Sequence, residues 1–341
     1  MIDLSQVQSA ASNDISGPPF WTVKPDGSKL CRILLTYSNI NLFQSCKWKY
    51  RARQFWQLRP VGKKATLMIG GGFHDAIEYY YNKVPDCSLN DDALIETMSF
   101  IDQSIGLLED GKDALVKAMV KAFIRWSHAK SKYRMVAQEQ EFVVRMEDAP
   151  DFEHDGIEYQ FWLSGKVDAF MNFHDGSFWL GEWKTCTSFQ DFQNKIKIDN
   201  QPWQYMLLYY LTHGKFPDGT VYRLAKKSAI RIKKSETVDE FRERYIQTYE
   251  EEWESHIAEE VVPFDPYRLD EHIDLLNQSA LDIRHAVVNE TWSRNRGSCF
   301  DYNSACPYMS LCGARDKSSF DVIAGQGFEY HRANEELAVS E

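Results

Sequence analysis

The chain has 341 residues, 43% of them hydrophobic and 14% aromatic, and carries a net charge of −11. At about 150 residues per domain this length suggests one large domain or two ordinary ones, and the apolar content excludes global disorder. No apolar run approaches the roughly 20 residues that span a bilayer, and the N-terminus lacks the basic-then-apolar pattern of a secretory signal. A cytoplasmic protein without membrane contact is the expectation.

The acidic balance argues against a general nucleic-acid coater, but the charge is uneven. Residues 47–64 hold Lys47, Lys49, Arg51, Arg53, Arg59, Lys63 and Lys64 with no acid between them. Residues 220–235 hold Arg223, Lys226, Lys227, Arg231, Lys233 and Lys234, again with none.

In chain order, residues 1–30, with Gly17, Pro18, Pro19 and Pro25, read as an irregular arm. Ser38 is the expected N-cap of a helix carrying Ile40, Phe43 and Trp48. A basic helix is expected to follow through residue 64, most of its aromatic rings packing inward. Gly70, Gly71 and Gly72 suggest a tight turn before a helix over 73–83 that carries His74. Leu115, Met119, Phe123 and Trp126 predict an amphipathic helix over 113–133.

From about residue 138 the texture changes. "QEQEFVVRM", "EYQFWLSGKVDAFMNF" and "SFWLGEWKT" predict strands. A helix over 201–213, strand character from 220 to 234, and helices over 237–258 and 268–290 follow. A loose tail is expected over 321–341. No internal repeat and no GxxxxGK[ST] loop occurs, so no ATPase motor is expected. Helices, then a sheet, then helices predict a single α/β or α+β domain over 31–320, with its core at about 138–235.

The stretch 164–185 is the most informative. His174-Asp175-Gly176 fits a three-residue hairpin loop whose last residue is left-handed. That loop pairs Phe173 with Ser177 and so sets Asp168 opposite Glu182. Opposed residues share a face with Cβ atoms about 5 Å apart, and Lys184 points the same way. Two carboxylates at that range raise one pKa or recruit a cation. Partial oxygen ligation with open water positions suits Mg²⁺ or Mn²⁺, and the lysine can act on a metal-bound water. A solvated polar face with a cross-strand ion pair is the bland alternative.

Gln201 and Tyr205 share a helical face; His74 precedes the hairpin on a helix, and Glu139 and Glu141 precede it on a strand. With Asp168 ending "GKVD" and "EWK" at 182–184, this ordered set resembles the PD-(D/E)XK nuclease superfamily, in its RecB-like branch. The resemblance implies a restriction-endonuclease-like mixed central sheet flanked by helices. It implies that His74, Asp168, Glu182 and the Trp183 carbonyl hold the metal, and that Lys184 acts on the attacking water. Gln201 and Tyr205 then position the metal shell or the DNA. Glu139 is preferred as the upstream acid, with Glu141 as the alternative.

Cys299, Cys306 and Cys312 are separated by six and five residues, gaps that suit mononuclear zinc poorly and leave a fourth ligand to be found. Some RecB-like nucleases, of AddB type and CRISPR-adaptation type, place one cysteine before the nuclease core and three after it, around a [4Fe-4S] cluster that joins the two ends. On that resemblance Cys46, Cys299, Cys306 and Cys312 are the ligands. The family spacing is usually C-x2-C-x5-C, and a proline commonly follows the first cysteine. Here the first late gap is six and Lys47 stands in place of the proline.

The resemblance implies an exonuclease on single-stranded DNA or DNA ends, in recombination, repair or phage DNA processing. It is compatible with a helicase or recombination protein as partner. Lys47, Lys49, Arg51, Arg53, Lys226 and Lys227 are the candidate phosphate contacts. A non-catalytic DNA-binding subunit and a structure-specific endonuclease are the alternative readings.

Overall fold

The computed structural model describes residues 21–330 apart from 25, 62–64, 107, 109–110, 131–132, 148, 302–303 and 315–316. Lys63, Lys64, most of the N-terminal arm and the end of the C-terminal tail lie outside the described residues.

Strands β1 (Trp21–Val23) and β2 (Lys29–Leu35) fall partly in the stretch expected to be irregular. "KLCRILL" shows no clean alternation because β2 is buried on both faces, as parallel strands are. Helix α1 (Tyr37–Ser45) is capped by Thr36, not Ser38: the Thr36 hydroxyl accepts the Asn39 N–H at 3.1 Å. The expected basic helix is broken into α2 (Lys47–Tyr50), a π turn over Arg51–Phe55 and β3 (Leu58–Pro60). Its rings do pack inward, Trp48 and Tyr50 being buried.

Helix α3 (Ala65–Lys83) contains Gly70–Gly72 rather than starting after them. A Cβ at Gly72 would lie 2.2 Å from Ile105 Cδ1, so this glycine permits close approach of α4 (Asp91–Ile105). Helix α5 (Asp113–Lys130) follows.

The sheet strands are β4 (Tyr133–Arg145), β5 (Phe152–His154), β6 (Ile157–Phe173) and β7 (Phe178–Cys186). Helices α6 (Phe189–Ile196) and α7 (Gln201–His213) cross over to β8 (Gly219–Lys226), which ends well before residue 234. The helix expected to reach 258 stops early: α8 (Val238–Glu251) gives way to β9 (Ile257–Pro263), and α9 (Pro266–Val288) follows. The chain continues through β10 (Phe300–Asp301), β11 (Ser304–Ala305), α10 (Met309–Cys312), α11 (Lys317–Gly327) and β12 (Phe328–Tyr330). Strand β12 pairs with β3, so residues 321–330 are built into the fold.

The central sheet is mixed, in the order β1-β2-β6-β7-β8-β9, with β4 and β5 also on β6. Strand β6 organises it. One edge of β6 is paired by β4 and β5. Along the other, β2 pairs in parallel with residues 157–163 and β7 antiparallel with 169–172. Between these two partners the edge of β6 carries no strand among the described residues, and the sheet forks. Gln204 of α7 fills the fork, its amide donating to Leu35 O and Ser164 O, each at 2.8 Å. One face of the sheet packs on α1, α7 and α9 through Phe43, Leu207 and Leu276. The other packs on α3, α5 and α8 through Phe73, Phe123 and Tyr245. The result is the α/β architecture expected from sequence, consistent with a restriction-endonuclease-like fold.

Candidate metal-dependent active site

The hairpin register is the predicted one: Ala169 faces Gly181 and Asn172 faces Phe178, with Phe173 N–H donating to Ser177 O. Its ladder stops one pair before Asp168 and Glu182. There the Trp183 N–H, without a backbone partner across the fork, donates to Asp168 Oδ2 at 2.6 Å. The carboxylate thus replaces a ladder bond where the strands part.

His74 on α3 brings Nδ1 to 3.5 Å from Asp168 Oδ2. Glu139 lies opposite Asp168 on β4, between the pairs Gln138–Ala169 and Gln140–Val167. Its φ of 49° is left-handed, a conformation that costs energy for a non-glycine residue and that clusters at functional sites. His74, Glu139 and Asp168 each offer a ligand atom within 4.8 Å of the others. Glu141, the alternative upstream acid, is set opposite Lys166 instead.

Glu182 is 1% exposed. Its Oε1 accepts the Lys184 ammonium and, at 3.0 Å, the Gln201 amide, which also reaches the Tyr205 hydroxyl at 2.7 Å. Tyr205 has room because Gly165 lacks a side chain: a Cβ there would lie 2.9 Å from the Tyr205 ring.

The electrostatics follow from burial. Burial and the neighbouring Asp168 push Glu182 up to about 8. The same two causes raise Glu139 to about 7. Burial acts to raise Asp168 as well, but His74 and Lys184 outweigh it and hold its carboxyl below the usual range. Conversely, burial disfavours charge on His74 and Lys184. Asp168 outweighs it at His74, and Glu182 with Asp168 at Lys184, so both rise. Three carboxylates at one fork are ionised together only when cations neutralise them.

A divalent ion fits this donor set. Beyond the His74–Glu139–Asp168 group, Glu182 Oε2 is buried with no hydrogen-bond partner among the described residues. Hard oxygen donors with one imidazole suit Mg²⁺ or Mn²⁺.

Sequence reasoning missed several residues here. Lys166 pairs with Glu139 at 2.6 Å. Asp199, buried beside Gln201, accepts its N–H at 3.2 Å and the Tyr222 hydroxyl at 3.3 Å. Gln204 closes the fork. Only proximity in the sequence to Gln201 pointed to Asp199 or Gln204.

The basic residues are dispersed. Arg51 is held by Glu290 at 2.5 Å and lies over the Trp56 and Trp292 rings. Lys47 lies over Phe43 and Lys226 over Phe189, at 5.0 and 5.8 Å. Arg53 is half-buried on the π turn, and burial lowers the Lys227 ammonium. Arg223, counted in the second basic stretch, is a core residue. It is fully buried among Phe123, Trp126, Tyr133 and Trp183 and paired with Glu259 at 2.7 Å.

Cys46, Cys299, Cys306 and Cys312 all line one cavity of about 430 Å³, with Lys49, Arg294 and Arg296 among its walls. Burial raises the Cys312 thiol, and Cys46, Cys299 and Cys306 add to the rise. No three of the cysteine sulfurs fall within 4.8 Å of one another among the described residues.

A forked mixed sheet that presents Asp168, Glu182 and Lys184 from one hairpin defines a class: an α/β protein with a candidate hydrolytic metal centre. A family model of the PD-(D/E)XK nuclease superfamily matches residues 34–313, and the chain belongs to that superfamily. Membership points to metal-dependent nuclease chemistry. No curated protein matches the chain significantly.

Proposed function

We propose that the protein is a Mg²⁺- or Mn²⁺-dependent deoxyribonuclease, an exonuclease on single strands or DNA ends. The observation that carries this reading is buried Glu182, paired with Lys184 beside Asp168 at the fork of the sheet. His74, Glu139, Asp168, Glu182 and the Trp183 carbonyl are the residues that would hold the metal. When bound, the ion supplies an acidic water and neutralises charge that builds on the phosphate. Lys184, held as an ammonium by Glu182, would donate a hydrogen bond that orients the attacking water and would stabilise charge building on the phosphate. Gln201, anchored by Tyr205, keeps the Glu182 carboxylate in place. Lys47, Lys49, Arg53 and Lys226 are proposed phosphate contacts. The RecB-like assignment, a single domain over about 31–320, a cytoplasmic setting, and recombination, repair or phage DNA processing belong to the same proposal.

The four cysteines are proposed to hold a [4Fe-4S] cluster. Their shared cavity supports this. A single zinc, with Zn–S near 2.3 Å, draws its sulfurs to within about 4 Å of each other. Sulfurs spread around a larger cavity suit a polynuclear cluster better.

The test is digestion of 5′- and 3′-labelled single-stranded and duplex DNA by anaerobically purified protein with Mg²⁺ or Mn²⁺. Progressive release of short products from one end is expected. No cleavage with any divalent ion would falsify the enzyme reading.

A further inference from the structure

Asp199 is a buried carboxylate that the proposed chemistry does not use. It is 4% exposed and sits in the turn between α6 and α7. Three separate elements converge on it. Its Oδ1 accepts the Gln201 N–H at the start of α7, and its Oδ2 accepts the Tyr222 hydroxyl of β8. The Tyr37 hydroxyl at the start of α1 is close enough that Asp199 adds to burial in pushing it up.

The local reason is a missing cap. Asn200 occupies the N-cap of α7 but its side chain caps nothing. A helix N-terminus leaves N–H groups without partners, and Asp199, one residue earlier, takes the Gln201 N–H. The Gln201 side-chain amide in turn donates to Glu182 Oε1 at 3.0 Å. Asp199 adds to Glu182 and Asp168 in favouring the Lys184 ammonium. A buried carboxyl group at the junction of α7 and β8 therefore fixes Gln201, one of the two groups that grip Glu182.

We propose that Asp199 is a positioning residue of the nuclease site, setting Gln201 against Glu182 through its hold on the start of α7 and on the Tyr222 hydroxyl. This rests on the nuclease reading above. Asp199 touches none of His74, Glu139 and Asp168, and Lys184 grips Glu182 independently of it, so its loss should leave Mn²⁺ binding close to wild type while misplacing Gln201. Displacements of about 1 Å in such groups cost on the order of 100-fold in rate.

The experiment pairs steady-state cleavage with Mn²⁺ binding measured by calorimetry, on wild type, Asp199→Ala and Asp199→Asn. In Asp199→Ala, kcat is expected to fall by about 100-fold, with DNA KM and the Mn²⁺ Kd within about threefold of wild type. Asp199→Asn keeps an acceptor for the Gln201 N–H and should recover about tenfold of that loss. If circular dichroism shows Asp199→Ala unfolded, Asp199→Asn alone carries the test, with kcat about tenfold down at unchanged Mn²⁺ affinity. Wild-type kcat in the folded variants overturns the proposal. So does a Mn²⁺ affinity or KM that worsens in step with kcat, or an Asn variant no better than Ala. A wild-type protein that cuts no DNA would sink the nuclease reading instead, and Mn²⁺ binding would be unaffected by that failure.

Discussion

At the scale of single residues, the site is a buried balance of charge. Glu182 is held by Lys184 and Gln201, and its second oxygen is left for a cation. Lys184→Met keeps the length of the side chain and removes the ammonium. Cleavage is expected to fall by about 100-fold or more while DNA binding is kept, measured by single-turnover digestion beside a filter-binding assay. Retained cleavage would show that Lys184 neutralises Glu182 without taking part in the chemistry. Gly165 offers a subtler test, because its added methyl would press on the Tyr205 ring and on Leu208 Cδ1 at 3.0 Å. Gly165→Ala should cost about 1–3 kcal/mol by overpacking and loosen the Tyr205–Gln201 bond. Thermal denaturation reads the first effect and kcat the second; an unchanged melting temperature would mean that Tyr205 has another rotamer to take. Asp168, Glu182 and Lys184 were legible in the sequence because a three-residue hairpin loop sets its register locally. Gln201 and Tyr205 followed from helical spacing. Lys166 and Asp199 were not legible, since their partners Glu139 and Tyr222 are brought to them only by the tertiary fold.

An edge strand and a glycine-bearing helix were the hardest elements to read. Helix α7 matched its expected bounds because its apolar residues and its Pro-containing start are unambiguous. Strand β9 was absorbed into a helix because "EEVVP" is an edge strand with acids on it, and edge charges hide the strand signal. The glycine run in α3 read as a break, whereas packing against Ile105 of α4 outweighs the poor helix propensity of glycine. Helix α9 carries a pH-dependent liability of its own. His272 is 1% exposed and neither ring nitrogen has a hydrogen-bond partner among the described residues. Burial lowers it from 6.5 to about 3. Between those values the unfolded chain binds a proton that the folded chain refuses, so stability is full above pH 6.5 and is lost as pH falls toward 3. One pH unit below the unfolded value the loss is about 1.4 kcal/mol. His272→Leu should flatten the fall in urea midpoint between pH 7.5 and about 5.5; an unaltered slope would assign the acid sensitivity to other groups.

Over the whole molecule, the fork in the sheet and the cysteine cavity solve different problems. The fork makes a site where two strands part, and Gln204 and Asp168 take up the backbone groups that parting releases. The cavity joins chain segments that are distant in sequence. Cys46 follows α1, the other three cysteines lie beyond α9, and Tyr308 donates to Leu58 O at 2.7 Å across the same junction. Strand β12 on β3 adds a second tie. A separate small core, with Trp48, Leu58, Leu311 and Phe328, fills the space around these ties. This core is too small to fold alone, so a crosslink through the cysteines has much to contribute. Closing so long a loop removes chain entropy from the unfolded state worth on the order of 5 kcal/mol, and a cluster held by four thiolates would supply that closure. Anaerobically purified protein is therefore expected to be brown, with broad absorption near 400 nm. Cys46→Ser and Cys312→Ser should each bleach it and lower the melting temperature together. The nuclease fork, on the far larger cores of the central sheet, should keep its Mn²⁺ affinity in whatever fraction remains folded. Colourless wild-type protein with one zinc per chain would replace the cluster with a mononuclear site. Variants as stable as wild type would show that β12, β3 and the Tyr308 bond hold the two ends together without it.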